Sequence, residues 1–313
     1  MGNLASYLEQ AFPPTSKFKV EDIPDLSGWV TLVTGGNTGI GYEIIKVLLL
    51  KNAKVYMATR SKERAQVAIA KLKNETGGRE AIFIELDLSN LSSVRRAAEE
   101  FKLKETALHV LFNNGGVMNC PVELVTADGY DMQFGTNVVG HYVLFKRLVS
   151  TLIAGAQTSS DHKARIVNTS SSTMLFTNRI RYDVVKDVPQ RKKFWSAQLY
   201  MQSKLANIIL SNEIARRYGG EGLVSTSLNP GNIRTEITRS SPVSLMFLFG
   251  WIFNPKIYLG ALTPLYAGVS TMSGDFNGKY FIPWAREGKM RPEARDPVEG
   301  EKLWQWLESE TKD

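Results

Sequence analysis

A short apolar run, Trp29–Gly35 (WVTLVTG), passes directly into Thr34-Gly35-Gly36-Asn37-Thr38-Gly39-Ile40-Gly41 and then into the helical pattern Ile40–Leu50. A glycine cluster at a strand-to-helix junction limits the fold more than any other feature of this chain. The missing side chains allow a tight turn and let backbone approach a pyrophosphate. The helix that follows offers unpaired N–H groups to phosphate oxygens. Glycine-rich loops alone are common. The strand before and the helix after make this one a dinucleotide cradle, with Gly35, Asn37, Thr38, Gly39, Ile40 and Gly41 as candidate contacts.

The same alternation continues. Strand-like segments at Lys54–Thr59, Ala81–Leu86, Leu108–Phe112, Ala164–Asn168, Leu223–Leu228 and Lys279–Ile282 are separated by helical patterns at Ser61–Lys73, Leu91–Phe101, within Ala127–Ile153 and at Ser196–Tyr218. Gly219 and Gly220 are expected to close the last of these. Near-continuous apolar strands between helices indicate parallel strands buried on both faces. Right-handed crossovers then give an α/β, Rossmann-like doubly wound sheet of about seven strands with helices on both faces. No linker or repeat interrupts Leu26–Ile282. The expected organisation is an N-terminal extension, 1–25, followed by one domain, 26–313, that ends in a helix over Pro297–Glu308.

Of the 313 residues, 43% are hydrophobic and 22% charged, enough for a full core. The single cysteine, Cys120, precludes an internal disulfide and fits a reducing compartment, so a cytoplasmic protein is expected. His109, His141 and His162 have no metal-ligand spacing; they read as packing or surface residues, and no metal is expected. The net charge of +7 is dispersed apart from Arg191, Lys192 and Lys193, and reads as mostly solvated surface. It comes with no nucleic-acid motif, so nucleic acid is not an expected partner. Val243–Phe253 is the most apolar run, too short to span ~30 Å of hydrocarbon as a helix.

The spacing T-G-x-x-x-G-I-G resembles the glycine motif of the short-chain dehydrogenase/reductase family, in its non-extended branch. Further segments match that family in its order. Asp87 and Leu88 follow the third strand, where the resemblance implies contact with adenine. Asn114 and Gly115 stand in N-N-G-G, where the family usually has N-N-A-G. Pro230, Gly231, Ile233 and Thr235 match its P-G-x-x-x-T loop. The second strand ends Ala58-Thr59-Arg60-Ser61 without an acid. An acid there favours NAD, whereas an arginine accommodates the 2′-phosphate of NADP; NADP(H) is therefore the expected cofactor, with Arg60 as its reader.

Tyr200-Met201-Gln202-Ser203-Lys204 puts Tyr200 and Lys204 on one helical face. A phenol is a weak acid at neutral pH, and a neighbouring ammonium lowers its pKa. The resemblance makes Tyr200 the proton donor or acceptor and Lys204 the ribose ligand that tunes it. It also implies that Ser171, in Asn168-Thr169-Ser170-Ser171, bonds the substrate oxygen; Ser170 and Ser172 compete for that role. Asn137 matches the asparagine that holds a water between lysine and solvent. The long stretch from Ser171 to Tyr200, with Arg181-Tyr182-Asp183, resembles the retinol dehydrogenase and WW-domain oxidoreductase-like subgroup. A fungal metabolic reductase fits equally.

These residues imply hydride transfer between nicotinamide and the carbonyl or alcohol carbon of a hydrophobic small molecule. A lid over about 236–262 is expected to cover the pocket. The alternative is a catalytically silent NADP-binding scaffold or sensor. A homodimer and a peripheral membrane contact stay open.

Overall fold

The structure is a computed structural model and describes residues 2–233, 256–270 and 275–312. Helix α1 (Gly2–Ala11) precedes β1 (Val30–Thr34). Then follow α2 (Gly39–Leu50), β2 (Lys54–Thr59), α3 (Lys62–Glu75), β3 (Ile82–Glu85), α4 (Leu91–Lys104) and β4 (Val110–Asn113). The second half runs α5 (Met132–Phe134), α6 (Gly140–Thr158), β5 (Ala164–Thr169), α7 (Ser196–Tyr218), β6 (Leu223–Leu228), α8 (Ile257–Val269), β7 (Tyr280–Ile282), β8 (Arg286–Glu287), α9 (Pro292–Arg295) and α10 (Pro297–Glu310).

The strands form one sheet in the order β3-β2-β1-β4-β5-β6-β7-β8. The order reverses between β1 and β4, which opens a crevice at the carboxyl ends of those strands, where such sheets bind ligands. The eighth strand goes beyond the sequence expectation. Its two residues carry no apolar run, and β8 pairs antiparallel with β7, Phe281 opposite Glu287. All other pairings are parallel.

Side chains alternate between two apolar layers with the period of two that strands impose. Leu32 joins a layer with Tyr56, Leu111, Phe145 and Leu205, whereas its neighbour Val33 joins the opposite layer with Ile45, Val55, Met57 and Leu265. Phe18 and Ile23 belong to the second layer beside Leu26, so the end of the stretch expected as an extension, 1–25, is packed into the core.

The expected long helix is composite. Asp131 caps α5 by accepting from the backbone of Gln133 and Phe134. One π-helical turn over Gly135–Val139 then separates α5 from α6. Met132–Thr158 is long and apolar enough to cross a membrane, but it runs through the core and 67% of its most apolar window is buried. At the end of α7 the left-handed residue is Gly222, at φ +83°, and not Gly219, which is right-handed. A one-turn 3-10 helix over Gly219–Glu221 delays the reversal.

Candidate active site

The glycine turn lies at the carboxyl end of β1. Gly35 adopts φ +65°, and a Cβ there would stand 2.8 Å from Gly115 Cα. A Cβ at Gly41 would stand 2.5 Å from the Gly35 carbonyl oxygen. The turn therefore closes against the end of β4 only because both positions lack a side chain. Thr38 precedes α2 without capping it through its side chain, which leaves the first-turn N–H groups free of a side-chain acceptor. Asn37 is held by Thr59, whose hydroxyl donates to Asn37 Oδ1 over 2.8 Å. These are the features a pyrophosphate requires, so the residues present fit a dinucleotide. Asn37, Thr38 and Gly39 also line a cavity of about 480 Å³ between α2 and α3, with Arg64 and Lys71 on its wall. It opens at the nucleotide end of the crevice and not beside Tyr200.

Arg60 follows β2, is exposed, and makes no hydrogen bond or ion pair with any described residue. Asp87 Oδ1 accepts from the backbone and hydroxyl of Ser89, which fixes the turn after β3. Asn114 Nδ2 donates to the Thr34 carbonyl over 2.9 Å, and Gly115 N–H donates to Thr34 Oγ1 over 2.8 Å. A methyl on Gly115 would lie 3.1 Å from Leu88 and 3.2 Å from that hydroxyl. The departure from the usual alanine thus leaves room for Thr34. Ile40 and Ile233 meet across Gly260 of α8, and Gly231 packs under the Trp284 ring. Thr235 and the body of the expected lid, 236–255, lie outside the described residues.

Tyr200 and Lys204 sit in the second turn and just beyond on α7, both buried. Lys204 Nζ donates to the Thr169 carbonyl over 2.9 Å and stands 5.6 Å from the centroid of the Tyr200 ring. Burial pulls Lys204 down to about 7. Burial also pushes Tyr200 up to about 12, against a hydrogen bond from Ser171 that works the other way. The expected lowering of the phenol by the ammonium does not result: desolvation disfavours both charged forms. Tyr200 therefore holds its proton at neutral pH and can donate it.

The three serines separate cleanly. Ser171 is the one whose hydroxyl reaches Tyr200. The Ser170 hydroxyl donates to the Lys204 carbonyl over 2.6 Å, and Ser172 begins a buried 3-10 turn. Asn137 lies in the π turn. Its amide oxygen accepts from Val117 N–H, and its amide nitrogen donates to Val117 O and Ser203 Oγ. Ser203 in turn donates to the Tyr200 carbonyl over 2.7 Å. Asn137, Ser171, Tyr200 and Lys204 thus converge from three elements beside the glycine turn.

Sequence reasoning missed several members of this site. Ser203 and Asn207 flank Lys204, and Asn207 shares the Thr169 carbonyl with it. His141, read as packing, bonds the Asn137 carbonyl; its spacing of four from Asn137 on one helix was the available signal. Arg191 stands in the basic cluster of a chain whose charge is expected to be mostly solvated surface. It is fully buried, donates to Asp187 over 3.0 Å and to the Leu124 carbonyl over 3.2 Å, and anchors the long stretch between Ser171 and Tyr200.

A family model described as short chain dehydrogenase matches residues 29–182. A short-chain dehydrogenase/reductase of Armillaria gallica is 51% identical over the full length of both chains. Human retinol dehydrogenase 11 is 36% identical, over 89% of this chain and 84% of that protein. Among solved structures, an uncharacterised protein of Mycobacterium paratuberculosis superposes with a TM-score of 0.74 at 26% identity, over 95% of this chain and 98% of that one.

Proposed function

The chain belongs to the short-chain dehydrogenase/reductase family, and from that premise we propose that it uses NADP(H) to interconvert a carbonyl and an alcohol on an apolar small molecule. The observation that carries this reading is the convergence of Asn137, Ser171, Tyr200 and Lys204 at the carboxyl edge of the sheet, next to the glycine turn. Arg60 supports the choice of NADP(H): its planar fork suits a phosphate, and the end of β2, Ala58-Thr59-Arg60-Ser61, carries no carboxylate to bind a free ribose hydroxyl. Two features support an apolar substrate: the kinship with a protein named for retinol, and an aromatic pair in which Tyr7 of α1 lies 5.5 Å from the half-exposed Phe176 on the turn that follows Ser171.

A bound nicotinamide supplies the hydride. The protein's share is to place the substrate oxygen and manage its proton. Ser171 and Tyr200 offer the two hydroxyls that polarise a carbonyl oxygen. Tyr200, protonated at neutral pH, gives up its proton as charge develops there. Lys204, held by Thr169, stands where a charge facing the phenol favours its ionised form. Asn137 fixes the backbone around Val117 against α7.

The test is oxidation of NADPH and NADH, side by side, against a panel of apolar aldehydes, ketones and quinones. Turnover with NADPH is expected, with weaker use of NADH. Tyr200→Phe should lower turnover by roughly 10²–10⁴-fold while cofactor affinity holds. Arg60→Ala should weaken NADPH and spare NADH. NADPH binding without turnover of any substrate favours the scaffold alternative, and full turnover by Tyr200→Phe removes the proposed chemistry.

A further inference from the structure

His141 is fully enclosed, and neither of its ring nitrogens is idle. Nδ1 lies 3.0 Å from the Asn137 carbonyl, and Nε2 lies 2.9 Å from Thr34 Oγ1. A carbonyl can only accept, so Nδ1 carries the hydrogen. In the neutral ring that leaves Nε2 as an acceptor. The Thr34 hydroxyl must then donate to it. The other acceptor within reach of that hydroxyl, the Phe112 carbonyl, is farther at 3.3 Å. Thr34 Oγ1 keeps a lone pair, and Gly115 N–H donates into it over 2.8 Å.

We propose that His141 is a positioning residue for the reaction, tying the nucleotide cradle to the catalytic asparagine through one directed chain of hydrogen bonds, Gly115 to Thr34 to His141 to Asn137. Every donor in the chain points the same way, so each bond polarises the next. The chain links four parts of the fold. It starts at the turn after β4, passes through the last residue of β1 and the first turn of α6, and ends in the π turn. That turn is where a fixed contact is most needed, because the backbone ladder slips there: Gly140 N–H reaches back to the Gly135 carbonyl. π turns recur at functional sites, and this one orients both halves of Asn137. Its side chain is committed to Val117 and Ser203, and its carbonyl to His141. A cradle that shifts on binding the dinucleotide would therefore move the asparagine with it.

The inference rests on the hydride-transfer reading, so its test has one arm that needs no turnover. Nitrogen NMR of histidine-labelled protein should show the ring missing from a His141→Asn sample as neutral, with hydrogen on Nδ1 only. The opposite tautomer, or a doubly protonated ring, breaks the chain as drawn. In the kinetic arm, His141→Phe keeps shape and removes both bonds. It should lower kcat by roughly 10–10²-fold, the cost of a misplaced catalytic group, and displace the pH profile of kcat. His141→Asn places an amide donor toward the same carbonyl and should recover most of the loss. Thr34→Val, which cuts the chain at its middle, should move kcat in the same direction as His141→Phe. If His141→Phe lowers only the melting temperature and leaves kcat and its pH profile unchanged, His141 is core filling. Absence of turnover in the unmodified protein would count against the hydride-transfer reading alone, because the tautomer measurement still decides the chain.

Discussion

His141 also affects the fold in a way that shows only in acid. Burial holds its pKa down at about 4 against an ordinary 6.5, helped by the positive charge of Lys204 on α7 and opposed by the bond to Asn137. Between those two values the unfolded chain binds a proton that the folded chain refuses. Stability from this residue is therefore complete above pH 6.5 and falls as the pH drops toward 4. At 1.36 kcal/mol per pKa unit the loss is roughly 3 kcal/mol once both values are passed. Carboxylates titrate in the same range, so the informative quantity is a difference. Urea unfolding of the parent protein and of His141→Asn, each followed from neutral pH down to about 4, should show the parent losing more. Parallel curves would mean that the ring is already charged in the fold.

Among the elements, the parallel strands were legible because each is an apolar run ending in a turn signal, and both apolar layers need such runs. β8 was not: two polar residues on an edge leave no pattern. The π turn was equally hidden: Asn137 is an unfavourable residue inside a helix, but the slip of the ladder changes no residue type and leaves no spacing to read. For the site, the Y-x-x-x-K pair and the glycine turn were visible because their spacing is local. The roles of Thr34 and His141 were not, since their link joins residues 107 positions apart. A related long-range constraint sets how α6 lies on the sheet. A Cβ on Gly155 would stand 2.0 Å from the Leu108 carbonyl oxygen, at the entry to β4. Backbone cannot swing aside as a flexible side chain can, so Gly155→Ala must push the helix off the strand. A loss of roughly 1–3 kcal/mol is expected, the usual cost of overpacking. Gly220→Ala, which meets nothing within 4 Å, is the matched control. Equal chemical denaturation midpoints for the two variants would contradict this packing.

On the scale of the whole molecule, the first helix is a keystone for the far edge of the sheet. Gln10 of α1 is buried, and its amide oxygen accepts from Asn229 Nδ2 over 3.0 Å and from the Tyr280 hydroxyl over 3.1 Å. Glu9 pairs with Arg286, and the Tyr7 ring packs tilted against Phe176. One short helix thus touches the end of β6, β7, β8 and the turn that follows Ser171. Asn229 immediately precedes Pro230 and Gly231 of the loop proposed to hold the cofactor, so the contact braces that loop from behind. Gln10→Leu keeps the bulk and removes the acceptor, stranding two buried donors. An unsatisfied buried donor costs about 1–3 kcal/mol, and at roughly 2–4 °C per kcal/mol for large domains the melting temperature should fall by several degrees. Leu8→Ala, on the exposed side of the same helix, should change it little. Because the stranded Asn229 adjoins the loop, Gln10→Leu should also weaken NADPH binding while kcat at saturating cofactor holds. A variant with parental melting temperature and parental NADPH affinity would show that α1 is an appendage, and that the edge of the sheet and the cofactor loop support themselves without it.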